Sequence, residues 1–298
     1  MVTDGSPLGA TLLDLLRPAR ITEVVDIGAN PIDGDPPYKA MLAAGACRVT
    51  GFEPQEGALA TLVAAKGPNE RYLPFAVGDG GAHTLNLCRS SGMASLLTPD
   101  PVILEIFGAL KHLGEVVGQV AVQTRRLDDI DEIRFVDFLK MDIQGGELSV
   151  LRNGQAKLAG SVAAQVEVSF VALYQGQPVF GEVDLEFRRM GFIPHCLAAV
   201  RNWPISPCVV DGDPFKPLNQ LLEADVVYVR DFSRPDAMSD EQLKHLALVA
   251  HHCYSSIDLV MRCLMLLGRR GRLPEGAAQR YVESLRQAPG KPSPPIPR

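Results

Sequence analysis

From Val24 to about residue 230, short runs rich in β-branched residues alternate with segments whose apolar positions recur every three or four residues. The runs Glu23–Ile27, Cys47–Phe52, Arg71–Val77, Phe135–Asp142, Val162–Phe170 and Ala224–Arg230 read as strands. Between them, Glu56–Lys66, Glu147–Leu158 and Gly181–Met190 read as helices; in the last, Val183, Phe187 and Met190 share one face. This alternation predicts βαβ units, and hence an α/β protein with a mostly parallel sheet covered by helices on both faces. Ligands of such sheets sit at the carboxyl ends of the strands.

Two shorter runs, His83–Cys88 and Gln119–Gln123, flank residues 90–112 and predict extra strands framing an insertion, a candidate lid or substrate wall. The pattern changes at Ser239, which has capping-box spacing to Gln242. Leu243, Leu246, Ala250, Cys253, Ile257, Val260, Leu264 and Leu267 then follow at intervals of three and four, as in one long amphipathic helix or a closely joined pair. The expected organisation is therefore a domain over 1–235, a C-terminal helical extension over 236–286 and a disordered proline-rich tail over 287–298. A single apolar stripe packs more often on its own domain than on a second copy; a homodimer through this helix is the alternative. His245, His251 and His252 share the helix, but adjacent positions point about 100° apart, which favours solvated or capping roles over a metal site.

Composition narrows the function classes. The 298 residues are 46% hydrophobic with a net charge of -6, as in a soluble globular protein, and that balance disfavours a nucleic-acid partner. Cys47, Cys88, Cys196, Cys208, Cys253 and Cys263 form no CxxC pair and lie in apolar surroundings, so buried reduced thiols are expected. The first residues carry no basic start or long apolar core, and no run reaches the roughly 20 uncharged residues of a spanning helix. A cytoplasmic protein without a membrane span is the expectation.

Candidate chemistry begins in VVDIGANPIDGDPPY, Val24–Tyr38, where an acid and a glycine end the first strand. A dinucleotide site needs closely spaced glycines so that pyrophosphate can approach backbone N–H groups, yet the register from Gly28 reads GANPID. Pro31, Pro36 and Pro37 each remove an N–H donor, leaving a poor phosphate cradle. S-adenosylmethionine has no phosphate; its ammonium, carboxylate and ribose diol can be met by one glycine turn with nearby acids and amides, as Asp26, Gly28 and Asn30 offer. Glu53 ends the second strand, where an acid accepts hydrogen bonds from both ribose hydroxyls. AVGD, Ala76–Asp79, offers an apolar wall in Val77 and an acid in Asp79 for an adenine ring. Each acid taken singly is as well explained as a turn, cap or surface residue; the ordered set favours a ligand.

A second motif, VDFLKMDIQGGELSVLRNG at Val136–Gly154, delivers Asp142 to the same sheet edge, and a later strand brings Glu167 there. With DIGAN, GFEP, AVGD, SSGMASLL, LKMDIQGGELSVL and EVSFVALYQGQPVF in this order, the chain resembles the FkbM-type family of class I S-adenosylmethionine-dependent methyltransferases over about residues 20–200. The resemblance implies a Rossmann-like seven-stranded sheet with a reversed last hairpin, and methylation of a hydroxyl on a sugar or natural product. It also implies that Asp26, Gly28 and Asn30 line the methionine end of the cofactor, Glu53 its ribose and Asp79 its adenine side. Asp142 and Glu147 match the family's acid pair, and Glu167 its later acid. The prolines after Asn30 and the helices beyond residue 235 depart from the family pattern.

A hydroxyl acceptor must lose its proton as it attacks the methyl carbon, so a carboxylate or histidine within hydrogen-bond reach is expected. Asp142 and Glu167 are the candidate bases, with His195 below them; Glu147 can equally be an acid favoured in a first helical turn. Lys140 is expected to pair with an acid or point away. Asp33 and Asp35 are too few for a calcium loop, and no metal is expected. The small-molecule or glycan acceptor carries no readable code. Two other classes compete with an O-methyltransferase. A catalytically inactive methyltransferase-like scaffold is disfavoured by the retained acids, and a nicotinamide oxidoreductase by the missing glycines.

Overall fold

The computed structural model describes residues 12–30 and 34–287. Asp33 and the expected tail beyond Gln287 lie outside the described residues. In chain order the first elements are α1 (Leu12–Leu16), β1 (Thr22–Ile27), α2 (Lys39–Ala43), β2 (Cys47–Phe52), α3 (Glu56–Ala65), β3 (Glu70–Leu73), β4 (Ala76–Val77) and β5 (Ala82–Cys88). There follow α4 (Pro101–Ile106), α5 (Ala109–Leu113), β6 (Val116–Arg125), β7 (Phe138–Met141), α6 (Glu147–Arg152), α7 (Gln155–Leu158), β8 (Ala163–Ser169) and α8 (Phe180–Arg189). The last are β9 (Phe192–Trp203), β10 (Gln220–Arg230), α9 (Asp240–Tyr254), α10 (Ile257–Arg269) and α11 (Ala277–Gln287).

Seven strands form one sheet in the order β3-β2-β1-β7-β8-β10-β9. The pairs β2–β3, β1–β7 and β7–β8 are parallel, whereas β10 runs antiparallel to both β8 and β9. The anticipated mostly parallel sheet with a reversed last hairpin is thus present. Every residue of β8 is buried, the polar Gln165 and Glu167 included, as in a strand covered on both faces. On α8 the helical spacing buries Val183 and Phe187, and Phe187 stacks on Tyr228 with ring centroids 4.0 Å apart. Each such side chain stabilises the fold by about 1.5–3 kcal/mol relative to exposure.

Several boundaries differ from expectation for local reasons. The strand expected over Arg71–Val77 breaks into β3 and β4 around Pro74, which has no N–H for a ladder. The helix expected over Glu147–Leu158 breaks into α6 and α7 at Gly154, where a Cβ would lie 2.8 Å from the Leu127 side chain. Strand β9 was not anticipated; it contains Pro194, which is tolerated because β9 is the edge of the sheet.

The short runs flanking the insertion do pair: β5 and β6 are antiparallel, and with β4 they form a separate three-stranded sheet. Within the insertion α4 and α5 bury Leu104, Phe107 and Leu110, and Asp100 caps α4 by accepting from the Val102 N–H at 2.9 Å.

Among the described residues, 23–30, 34–35 and 49–231 belong to one compact unit and 12–22, 36–48 and 232–287 to the other. In the second unit the pattern from Ser239 resolves as a joined pair, α9 and α10, parted at Ser255 with φ +51°. Ser239 and Gln242 form the anticipated capping box. Of the stripe, Leu243, Leu246, Ala250, Val260, Cys263's neighbour Leu264 and Leu267 are buried within the single chain. His245 is neither solvated nor a cap: it is 1% exposed, with Nδ1 2.9 Å from the Thr22 hydroxyl. The expectation of uniformly buried thiols also fails, since Cys196 and Cys208 are exposed. Among the described residues no helix is long and apolar enough to cross a membrane.

Candidate functional site

Three strand ends build the floor of one cleft. The Phe52 carbonyl, last in β2, accepts from the N–H groups of Gly28 and Ala29, both at 3.1 Å, and the Ile27 carbonyl accepts from Asp142 N–H at 3.1 Å. Gly28 has φ +79°, and a Cβ there would lie 2.0 Å from the Asp142 carbonyl oxygen. Only glycine fits: the turn after β1 and the end of β7 meet backbone to backbone.

Above this floor is a cleft of about 790 Å³ that is open to solvent. Gly28, Asn30, Glu53, Val77 and Asp142 all line it, so five of the anticipated positions come together. Phe52, Phe75 and Ala76 add an apolar wall, and Ser91, Gly92, Ala94, Ser95 and Leu96 of the insertion close another side. The insertion is therefore a wall of this cleft. Among the described residues no group of three or more His, Cys, Asp or Glu is placed to hold a metal ion.

Glu53 is 2% exposed, and its Oε1 accepts from the Gln55 N–H at 2.7 Å. Burial raises its carboxyl above the ordinary value, the Gln55 bond opposes this, and the charge of Asp26 adds to it. Glu147 is buried in the first turn of α6, where Oε1 accepts from the Ile143 N–H at 3.0 Å. Burial pushes its carboxyl up to about 7 in spite of that bond.

Three anticipated residues are placed otherwise. Asp26 does not line the cleft; it is 2% exposed at the end of β1, and its Oδ1 lies 3.6 Å from the Lys140 ammonium. Lys140 also donates to the Gly28 carbonyl at 3.3 Å, so this ion pair supports the turn from beneath. Burial alone would push the Lys140 ammonium down, but Asp26, Asp142, Glu167 and Asp225 outweigh it and hold it above its ordinary value. Asp79 is turned away from the cleft, because its Oδ1 is taken by the Gly81 N–H at 2.8 Å, His83 Nε2 at 2.8 Å and the Thr124 hydroxyl at 3.1 Å. The His83 contact, with these bonds, lowers its carboxyl to about 2. His195 is on the edge strand β9 and does not line the cleft.

Glu167, near the end of β8, reaches the cleft through Gln144. The Gln144 amide donates to Asp142 Oδ1 at 3.1 Å and to Glu167 Oε2, while Arg201 donates to Glu167 Oε1 at 2.8 Å. Burial, then the charges of Asp142 and Glu223, hold the Glu167 carboxyl well above the ordinary value, against Arg201. The Tyr174 hydroxyl donates to Gln144 Oε1 at 3.0 Å. Gln144, Tyr174 and Arg201 were not singled out from the sequence. Gln144 left a signal, a polar residue between the strand-end acid and Gly145–Gly146; Arg201 left none.

A family model described as the methyltransferase FkbM domain matches residues 26–194, more than half of the 298-residue chain. Comparison with curated sequences gives no match. Among solved structures, magnesium protoporphyrin IX methyltransferase from Synechocystis PCC 6803 aligns at 9% identity and a TM-score of 0.37, covering 71% of this chain and 71% of that one. Precorrin-6y C5,15-methyltransferase from Geobacter metallireducens GS-15 aligns at 11% identity and a TM-score of 0.34, covering 73% of this chain and 84% of that one.

Proposed function

This chain belongs to the FkbM methyltransferase family, and on that premise we propose that it transfers the methyl group of S-adenosylmethionine to a hydroxyl oxygen of a sugar or a secondary metabolite. The observation that carries the proposal is the convergence on one cleft of Gly28, Asn30, Glu53, Val77 and Asp142, in a chain whose sequence after Gly28 lacks the closely spaced glycines that a pyrophosphate needs.

When bound, S-adenosylmethionine supplies an electrophilic methyl carbon on a sulfonium. Glu53, at the end of β2, is the residue to accept hydrogen bonds from a ribose diol, and its buried carboxyl makes such charge-assisted bonds strong. Phe75 and Val77 are the wall for an adenine ring. Asn30 and the Gly28 turn face the amino-acid end. Asp142, alone or with Glu167, would take the acceptor's proton as the acceptor's O–C bond forms and the methyl C–S bond breaks, S-adenosylhomocysteine leaving. The insertion residues Ser91 to Leu96 orient the acceptor, and most of the acceleration comes from that alignment.

Calorimetric titration of the purified protein with S-adenosylhomocysteine, and separately with NAD, tests this. Micromolar binding of the first alone is expected, and Glu53→Ala should weaken it by about 10- to 100-fold through loss of charge-assisted bonds. Binding of neither ligand would sink the proposal in favour of a scaffold without cofactor; binding of NAD alone would favour an oxidoreductase.

A further inference from the structure

We propose that Gln144 is a positioning residue for methyl transfer: its side-chain amide bridges Asp142 and Glu167 and so fixes which carboxylate oxygen meets the acceptor hydroxyl. This rests on the methyltransferase function proposed above. The backbone argues first. Gln144 has φ +54° and Gly145 has φ +104°, a left-handed pair in which glycine or asparagine is the ordinary choice at either position. The conformation of the turn gives no reason for a glutamine; the side chain does.

All of its polar groups are engaged. One amide hydrogen goes to Asp142 Oδ1 at 3.1 Å and the other to Glu167 Oε2, while Oε1 accepts from the Tyr174 hydroxyl at 3.0 Å. The Gln144 backbone carbonyl accepts from the Ser95 hydroxyl at 2.6 Å. Asp142 and Glu167 offer acceptor oxygens to the amide nitrogen, and the Tyr174 hydroxyl, which also reaches the Met93 carbonyl at 3.1 Å, faces the amide oxygen, so this orientation of the amide suits its partners. Asparagine, one methylene shorter, cannot span both carboxylates from the same backbone.

The bridge answers an electrostatic demand. Asp142 and Glu167 come from the ends of neighbouring parallel strands, where like charges repel. From the elements packed around them, Glu223 of β10 and Glu147 of α6 add negative charge, and Arg201 of β9 and Lys140 of β7 add positive charge. Gln144 donates to both members of the pair. Through Ser95 and Tyr174 it is also tied to the wall of the cleft, so the acid pair and the acceptor wall are held in one register.

The test needs no acceptor. Full-length protein with isotopically labelled side-chain carboxyls is titrated with acid and base and followed by NMR, the Glu167 resonance being the one that Glu167→Gln abolishes. Gln144→Gly relieves the backbone and deletes the bridge. Its Glu167 midpoint should rise by about one pH unit or more, because donors to a carboxylate favour its charged form. Its thermal unfolding should remain a single cooperative transition, which shows that the variant is folded. Gln144→Asn, which also tolerates the positive φ, should move the carboxyl in the same direction. An unmoved midpoint in Gln144→Gly overturns the proposal, as does movement there with none in Gln144→Asn, which would mean lost packing instead of a lost bridge. Failure of the methyltransferase function would appear separately, as wild-type protein that does not bind S-adenosylhomocysteine while its carboxyls titrate normally.

Discussion

At Glu147 a single buried carboxyl links stability to pH. Burial pushes it up to about 7 from an ordinary 4.5, so it binds its proton more tightly in the folded chain than in the unfolded one. The stability owed to that proton is fully present below 4.5 and is lost as pH rises through 7. The effect is on the order of 3 kcal/mol. Glu147→Gln keeps the carbonyl that accepts from Ile143 and removes the titration. Urea unfolding should find this variant more stable than wild type at pH 8 and no more stable at pH 4.5; equal stability at both would disprove the buried titration. The same scale explains what could and could not be read in advance. The place of Gly28 and Glu53 on the cleft was legible because both follow directly on the carboxyl ends of parallel strands, whereas Asp26, one residue short of the end of β1, is turned to Lys140 instead. Asp79 was misread because its partners Gly81, His83 and Thr124 come from a local turn and a distant strand, and only the folded chain shows them taking the carboxylate.

Among the elements, those with an apolar run bounded by turn residues were recovered nearly to the residue, as β2 and β8 show. Those altered by one residue were not. Gly154 ends α6 through contact with Leu127, a residue whose position no periodicity encodes. Strand β9 alternates weakly, because an edge strand with Pro194 and a largely exposed face carries little hydrophobic signal. The start of α9 shows the opposite case, a boundary written in two residues. Its capping box joins the Ser239 hydroxyl to the Gln242 N–H at 3.2 Å and the Gln242 side chain to the Ser239 N–H at 2.9 Å. Ser239→Ala should therefore cost about 1 kcal/mol in chemical denaturation. No loss would mean that the helix end is held by other contacts.

On the scale of the whole molecule, the stripe that suggested a dimer seam is consumed inside one chain, where Leu246, Val260 and Leu264 are buried. Leu246→Ala should lower stability by about 2–5 kcal/mol, by an amount independent of protein concentration. A loss that grew on dilution would restore the seam. The main sheet and the cleft wall are separable in the same sense. Residues 89–115 hang between Cys88 and Val116, which are paired neighbours on β5 and β6, outside the seven-stranded sheet. This segment is nonetheless anchored at several points: the Asp100 N–H donates to the Leu173 carbonyl at 2.8 Å, the Tyr174 hydroxyl to the Met93 carbonyl at 3.1 Å and the Ser95 hydroxyl to the Gln144 carbonyl at 2.6 Å, so a change in its length or sequence has to keep those anchors if the cleft is to keep its wall.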